Sequence, residues 1–91
     1  MLFMTEYRLK PHMPKADVKR LMDTFGKRGA VEGEIANYVR ADGLGGYTIS
    51  ESDSLGAAYA DVLAYSEYMT FSINPIMKID DAVGPIFEYL G

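Results

Sequence analysis

Asp42-Gly43-Leu44-Gly45-Gly46-Tyr47-Thr48-Ile49-Ser50-Glu51 decides how this chain is put together. Asp-Gly and Gly-Gly mark a tight reversal, because Asp and Gly tolerate the positive φ that hairpin turns demand. A run of β-branched and aromatic residues follows and predicts a strand. The strand it reverses is read over Ile35 to Arg40. Gly43-Leu44-Gly45-Gly46 also has the glycine content of a phosphate cradle. No helix opens directly after it and no Lys-Ser/Thr follows, so the turn reading stands.

Outward from the hairpin, each side carries a strand and a helix. Upstream, an apolar strand (Leu2 to Leu9) leads through Lys10-Pro11-His12-Met13-Pro14 into a helix over Lys15 to Arg28. Val18, Leu21, Met22 and Phe25 fall at i, i+3, i+4, i+7, the spacing of one helical face. Gly26 and Gly29, with Lys27 and Arg28 at the negative end of the dipole, end it. Downstream, Ser52 or Asp53 caps a helix running to Tyr68, with Leu55, Ala58, Tyr59, Val62 and Ser66 expected inside. A last strand is read over Met69 to Ile79, with Pro75 confined to an edge, a bulge or the strand's exit. Asp80 is expected to cap a short closing helix that Gly84-Pro85 restarts or kinks.

The order β-α-β-β-α-β is the split-βαβ, or ferredoxin-like, pattern. It predicts a single α+β domain over residues 1–91, with a four-stranded antiparallel sheet, both long helices on one face and a short C-terminal helix.

Composition narrows the chemistry. The absence of cysteine excludes disulfides, thiolate metal sites, iron–sulfur electron transfer and a cysteine nucleophile. One histidine, in a proline-flanked loop, makes no zinc site and has no evident orienting partner. Neither metal nor cofactor is expected. The opening Met1-Leu2-Phe3-Met4 reaches Glu6 and Arg8 without an apolar stretch of signal-peptide length. No run approaches the roughly 20 apolar residues of a membrane span, so a cytoplasmic protein without a membrane partner is expected. Residues 1–45 hold eight Lys/Arg against six Asp/Glu; residues 46–91 hold one against seven. The basic first helix and acidic second helix should attract across one face of the sheet. The acidic whole argues against nucleic acid as a partner.

The strands themselves carry a prediction about assembly. Phe3, Thr5, Tyr7 and Leu9 point one way and Leu2, Met4, Glu6 and Arg8 the other, and neither set is cleanly polar. The second and last strands are mixed in the same way. A sheet covered on one face only should alternate sharply. Two helices cover one face, so a second copy of the same sheet is the economical cover for the other. A homodimer through the sheet faces follows.

Tyrosine covers apolar area and keeps one hydrogen-bonding tip, which suits both interfaces and ligand pockets. Tyr7, Tyr38 and Tyr47 fall on three strands, and with Asn37 and Asn74 they are the candidate lining of a small apolar pocket. A carboxylate in such a pocket, with Glu6 on the opening strand and Glu51 at the end of the third as candidates, would serve as a base only if Arg8 or Arg40 did not pair with it.

The chain resembles the dimeric α/β-barrel superfamily of small ferredoxin-like proteins. The likeness lies in Met1-Leu2-Phe3-Met4, in Tyr38 to Gly43, in Gly45-Gly46-Tyr47-Thr48-Ile49-Ser50-Glu51-Ser52-Asp53 and in Phe71-Ser72-Ile73-Asn74-Pro75-Ile76. Together these are most similar to a family of small bacterial-type proteins whose function is uncharacterised. Wider relatives include cofactor-free and haem-degrading monooxygenases, muconolactone isomerases and stress-responsive barrels. The resemblance implies a sheet-to-sheet homodimer with a pocket between sheet and helices. It carries no catalytic residue across, because the monooxygenases rely on a tryptophan and this chain has none. The function expected is the binding of a small apolar or aromatic molecule in that cleft. A cofactor-independent isomerase or monooxygenase acting on a small aromatic or polyketide-like substrate is the alternative, and a protein-interaction module the third.

Overall fold

The chain runs β1 (Leu2–Leu9), α1 (Lys15–Arg28), β2 (Glu34–Val39), β3 (Gly45–Glu51), α2 (Leu55–Tyr65), β4 (Met69–Pro75) and α3 (Ile79–Leu90) in a computed structural model that describes residues 1–91. The four strands form one antiparallel sheet in the order β2-β3-β1-β4. This is the ferredoxin-like α+β arrangement that the hairpin and its flanks predict.

Register sorts the strand residues into two faces. Tyr7 stands opposite Gly46 on β3 and Phe71 on β4, and Thr5 opposite Thr48 and Ile73; these look toward the helices. On the outer face, Tyr38, Tyr47, Glu6 and Ser72 make one cross-strand row, and Ala36, Ile49, Met4 and Asn74 the next. The pairing of β2 with β3 slips between Glu34 and Ala36, a bulge at Ile35. Strict alternation sets Ile35 on the face of Asn37. The extra residue instead brings Glu34 to that face and leaves Ile35 63% exposed.

α1 begins after Pro14, whose fixed φ suits a helix start, and ends at Gly29 with φ 72°, where the Gly29 amide donates to the Phe25 carbonyl. Ser54, not Ser52 or Asp53, caps α2: its Oγ accepts from the Ala57 amide at 3.1 Å, while Ser52 Oγ accepts from the Ser54 amide. α2 is correspondingly shorter than the stretch read from Asp53 to Tyr68. β4 stops at Pro75, the exit position that proline permits. Asp80 lies in the first turn of α3 rather than at its cap, which is Lys78. Pro85 is carried inside that helix without breaking it.

Arg20 Nη2 meets Glu67 at 2.7 Å and Arg28 Nη2 meets Asp61 at 2.8 Å, so the basic α1 and acidic α2 lie antiparallel and tied. Arg20 also sits 5.7 Å from the centre of the Tyr68 ring. Phe3, Tyr68 and Met69 are the only buried hydrophobic side chains. The helices stand off the sheet, and the space between them is open. α3 approaches no other element. The radius of gyration is accordingly 15.9 Å, against about 12 Å for a compact domain of this length.

Candidate functional site

The gap between the sheet and the two long helices is a cavity of about 550 Å³, within the size range of small-molecule sites. Its walls are apolar. α1 contributes the stripe of Val18, Leu21, Met22 and Phe25, as its periodicity predicts. α2 contributes Ala57, Ala58, Asp61, Val62 and Tyr65. Ala58 and Val62 lie inside as read from sequence, whereas Leu55 and Tyr59, also expected there, are 71% and 64% exposed. The small Ala57 and Ala58 face inward, which helps keep the gap unfilled.

The floor is built by the strands. Phe3, Tyr7, Met69 and Phe71 give it an aromatic and thioether surface. Between them a row of neutral polar groups crosses the sheet: Asn37, Thr48 and Thr5 stand side by side, with Ser50 one step along β3. Thr48 Oγ1 donates to Asn37 Oδ1 at 3.4 Å, and both Thr48 and Ser50 are buried. Burial with hydrogen bonding is what holds such groups in an apolar setting.

Tyr7 lies over Gly46. A β-carbon built on that glycine would strike the Tyr7 ring and hydroxyl and the Tyr38 carbonyl. Burial pushes the Tyr7 phenol above its ordinary pKa, and burial does the same for Tyr65. Both are therefore neutral hydrogen-bond donors at pH 7. Met22 and Phe25 on α1, with Asn37 and Val39 on β2, are among the exposed members of the lining. Glu32 and Glu34 stand on the same side. Asp61 is held by Arg28 through Nε at 3.3 Å and Nη2 at 2.8 Å. No lysine, arginine or histidine lines the cavity.

Residues 1–88, nearly the whole chain, match a family model. The chain belongs to DUF3303, a domain of unknown function. No curated protein matches it.

Of the five pocket candidates read from this DUF3303 sequence, Tyr7 and Asn37 come together in the cavity. Tyr38, Tyr47 and Asn74 stand on the outer face of the sheet, Tyr38 directly opposite Tyr47. Asn74 Nδ2 donates to Ser72 Oγ there, at 3.2 Å. Glu6, also on that face, is paired with Arg8 at 3.4 Å, while Arg40 pairs with Asp42. His12 sits exposed in its loop at φ 58°. No group of three or more His, Cys, Asp or Glu side chains is placed to hold a metal ion, and no helix is long and apolar enough to cross a membrane.

The sequence reading missed Thr5, Thr48 and Ser50. The signal was available in register: once Gly46 is set opposite Tyr7, alternation brings Thr48 and Ser50 to the face of Phe3 and Thr5. Glu34 needed the bulge and could not have been found by alternation.

The chemistry open to this arrangement is solvation of an apolar body and donation of a few neutral hydrogen bonds. The only carboxylate from the helices, Asp61, is engaged by Arg28.

Proposed function

We propose that this DUF3303 chain binds a small apolar or aromatic molecule between its helices and its sheet, without a cofactor, as a homodimer of the dimeric α/β-barrel kind. The observation that carries the reading is the 550 Å³ gap with apolar walls and a polar row across its floor. With so few side chains buried, the chain gains stability from whatever apolar body fills that gap, since burial contributes about 25 cal/mol per Å² of apolar surface. A second copy is the reading for the outer face, where Tyr38 is 64% exposed and Met4, Tyr47 and Ile49 are only half-buried.

Native mass spectrometry of gently purified protein, followed by thermal unfolding across a panel of apolar and aromatic compounds, tests the binding reading. A retained small molecule, or a rise in Tm that grows with compound concentration, is expected. Unfolding that no compound shifts, in protein carrying no bound molecule, would contradict it.

α3 favours a second reading. Val83, Ile86, Phe87 and Leu90 form an apolar face that no other helix or strand of the chain approaches, on a helix of only 12 residues. Helices that short are marginal in water without tertiary partners. A protein-interaction role for α3, toward a second copy or another chain, is compatible with ligand binding in the cavity. An isomerase or cofactor-free monooxygenase would use the same cavity, with Tyr7 as a proton donor toward substrate.

A further inference from the structure

We propose that the cavity selects an uncharged molecule bearing a carbonyl or other oxygen acceptor and turns away anionic counterparts of the same shape. The proposal rests on the ligand-binding reading above and names the class of ligand.

Charge is the first observation. An acid leaving water needs a cation or several donors to replace its hydration. The lining of this cavity holds three carboxylates, Glu32, Glu34 and Asp61, and no basic side chain. Arg28 answers Asp61 and so adds no free positive charge toward the interior. Glu32 and Glu34 take part in no ion pair, and the bulge at Ile35 turns Glu34 to the side of Asn37. An anion therefore enters past two negative charges and finds no counterion within.

Donors are the second observation. Asn37 Oδ1 already accepts the Thr48 hydroxyl, which leaves the Asn37 amide N–H groups without a protein partner. The Tyr7 hydroxyl, held protonated in its half-buried place over Gly46, has no partner either. Both face a cavity otherwise walled by Met22, Phe25, Phe71 and Met69. A neutral oxygen acceptor on an apolar or aromatic frame answers this set; a carboxylate, sulfonate or phosphate does not.

Matched fluorescent probes test both halves. N-Phenyl-1-naphthylamine and 8-anilinonaphthalene-1-sulfonate share one frame and differ by the sulfonate. At low salt the neutral probe should bind about tenfold more tightly, and the Glu32→Gln/Glu34→Gln variant should narrow that gap. Prodan, a neutral naphthyl ketone, reads the donors. Asn37→Leu and Tyr7→Phe should each weaken prodan about fivefold relative to N-phenyl-1-naphthylamine, and an unchanged far-ultraviolet spectrum certifies that the variants are folded. Equal binding of the neutral and sulfonated probes would overturn the charge selection while leaving the cavity in place. Unchanged prodan affinity in both variants would overturn the acceptor recognition. Failure of every probe to bind would instead overturn the underlying ligand-binding reading.

Discussion

The phenol of Tyr7 lies across Gly46, in the space a β-carbon at that glycine would fill. The missing side chain on β3 lets the Tyr7 ring lie flat along the floor of the cavity instead of standing up into it. Gly46→Ala would meet the Tyr38 carbonyl as well as the ring, so a ladder contact and a side chain must both move. A loss of about 2 kcal/mol or more is expected, read as a drop in Tm of roughly 8–16 °C. Gly26, inside α1 with open space around it, is the control: Gly26→Ala should stabilise by about 0.5–1 kcal/mol. Thermal unfolding of the two variants checks both signs.

Arg28 and Asp61 connect the two helices at the edge of the cavity. A double-mutant cycle with Arg28→Met and Asp61→Asn should give a coupling of about 0.5–1 kcal/mol at low salt, near the upper end for partly exposed pairs. The coupling should shrink on raising salt toward 1 M, where the screening length falls to about 3 Å. Chemical denaturation in urea at two salt concentrations measures it.

Alkaline pH should unfold the protein partly through Tyr7. Burial raises its folded-state pKa above the ordinary 10.0. Below the unfolded value both states hold the proton, and the contribution of this group is fully present. As pH rises through the folded pKa the unfolded chain has already released its proton, so stability is lost. Tyr7→Phe should flatten that alkaline limb. Tyr65→Phe should act in the same direction, since burial raises Tyr65 too. Urea midpoints between about pH 9 and 11.5 measure the slope.

The free apolar face of α3 makes a prediction about assembly. Ile86 and Phe87 are 47% and 69% exposed and point to no other element of the chain. If α3 and the outer sheet face meet a second copy, light scattering gives twice the chain mass of 10.1 kDa. Ile86→Asp with Phe87→Asp should then shift the mass toward the single-chain value while the far-ultraviolet spectrum changes little.

The element order and the inner stripe of α1 were legible because each rests on a local signal. Asp42-Gly43 forces the reversal, and Val18, Leu21, Met22 and Phe25 face a polar opposite side that fixes their phase. α2 gave no such contrast. It is apolar nearly all round, so Leu55 and Tyr59 read as inward as Ala58 and Val62, and only the fold shows that Ala57 takes the inner side in their place. Neither cap read from sequence, Ser52 or Asp53, reaches the Ala57 amide; the adjacent Ser54 does, a choice that spacing alone does not make. Tyr38, Tyr47 and Asn74 were grouped with Tyr7 because both sheet faces mix apolar and polar residues. Alternation says which residues share a face, not which face the helices cover.

Methyl resonances of the methionines test the central claim most directly. Met22 on α1 and Met69 on β4 line the cavity, while Met4 stands on the outer sheet face and Met77 lies beyond β4. Titration of methyl-labelled protein with N-phenyl-1-naphthylamine should shift the Met22 and Met69 signals together, saturably, and leave Met4 and Met77 in place. Shifts confined to Met4 or Met77, or no shift at any methionine, would contradict a ligand site between the helices and the sheet.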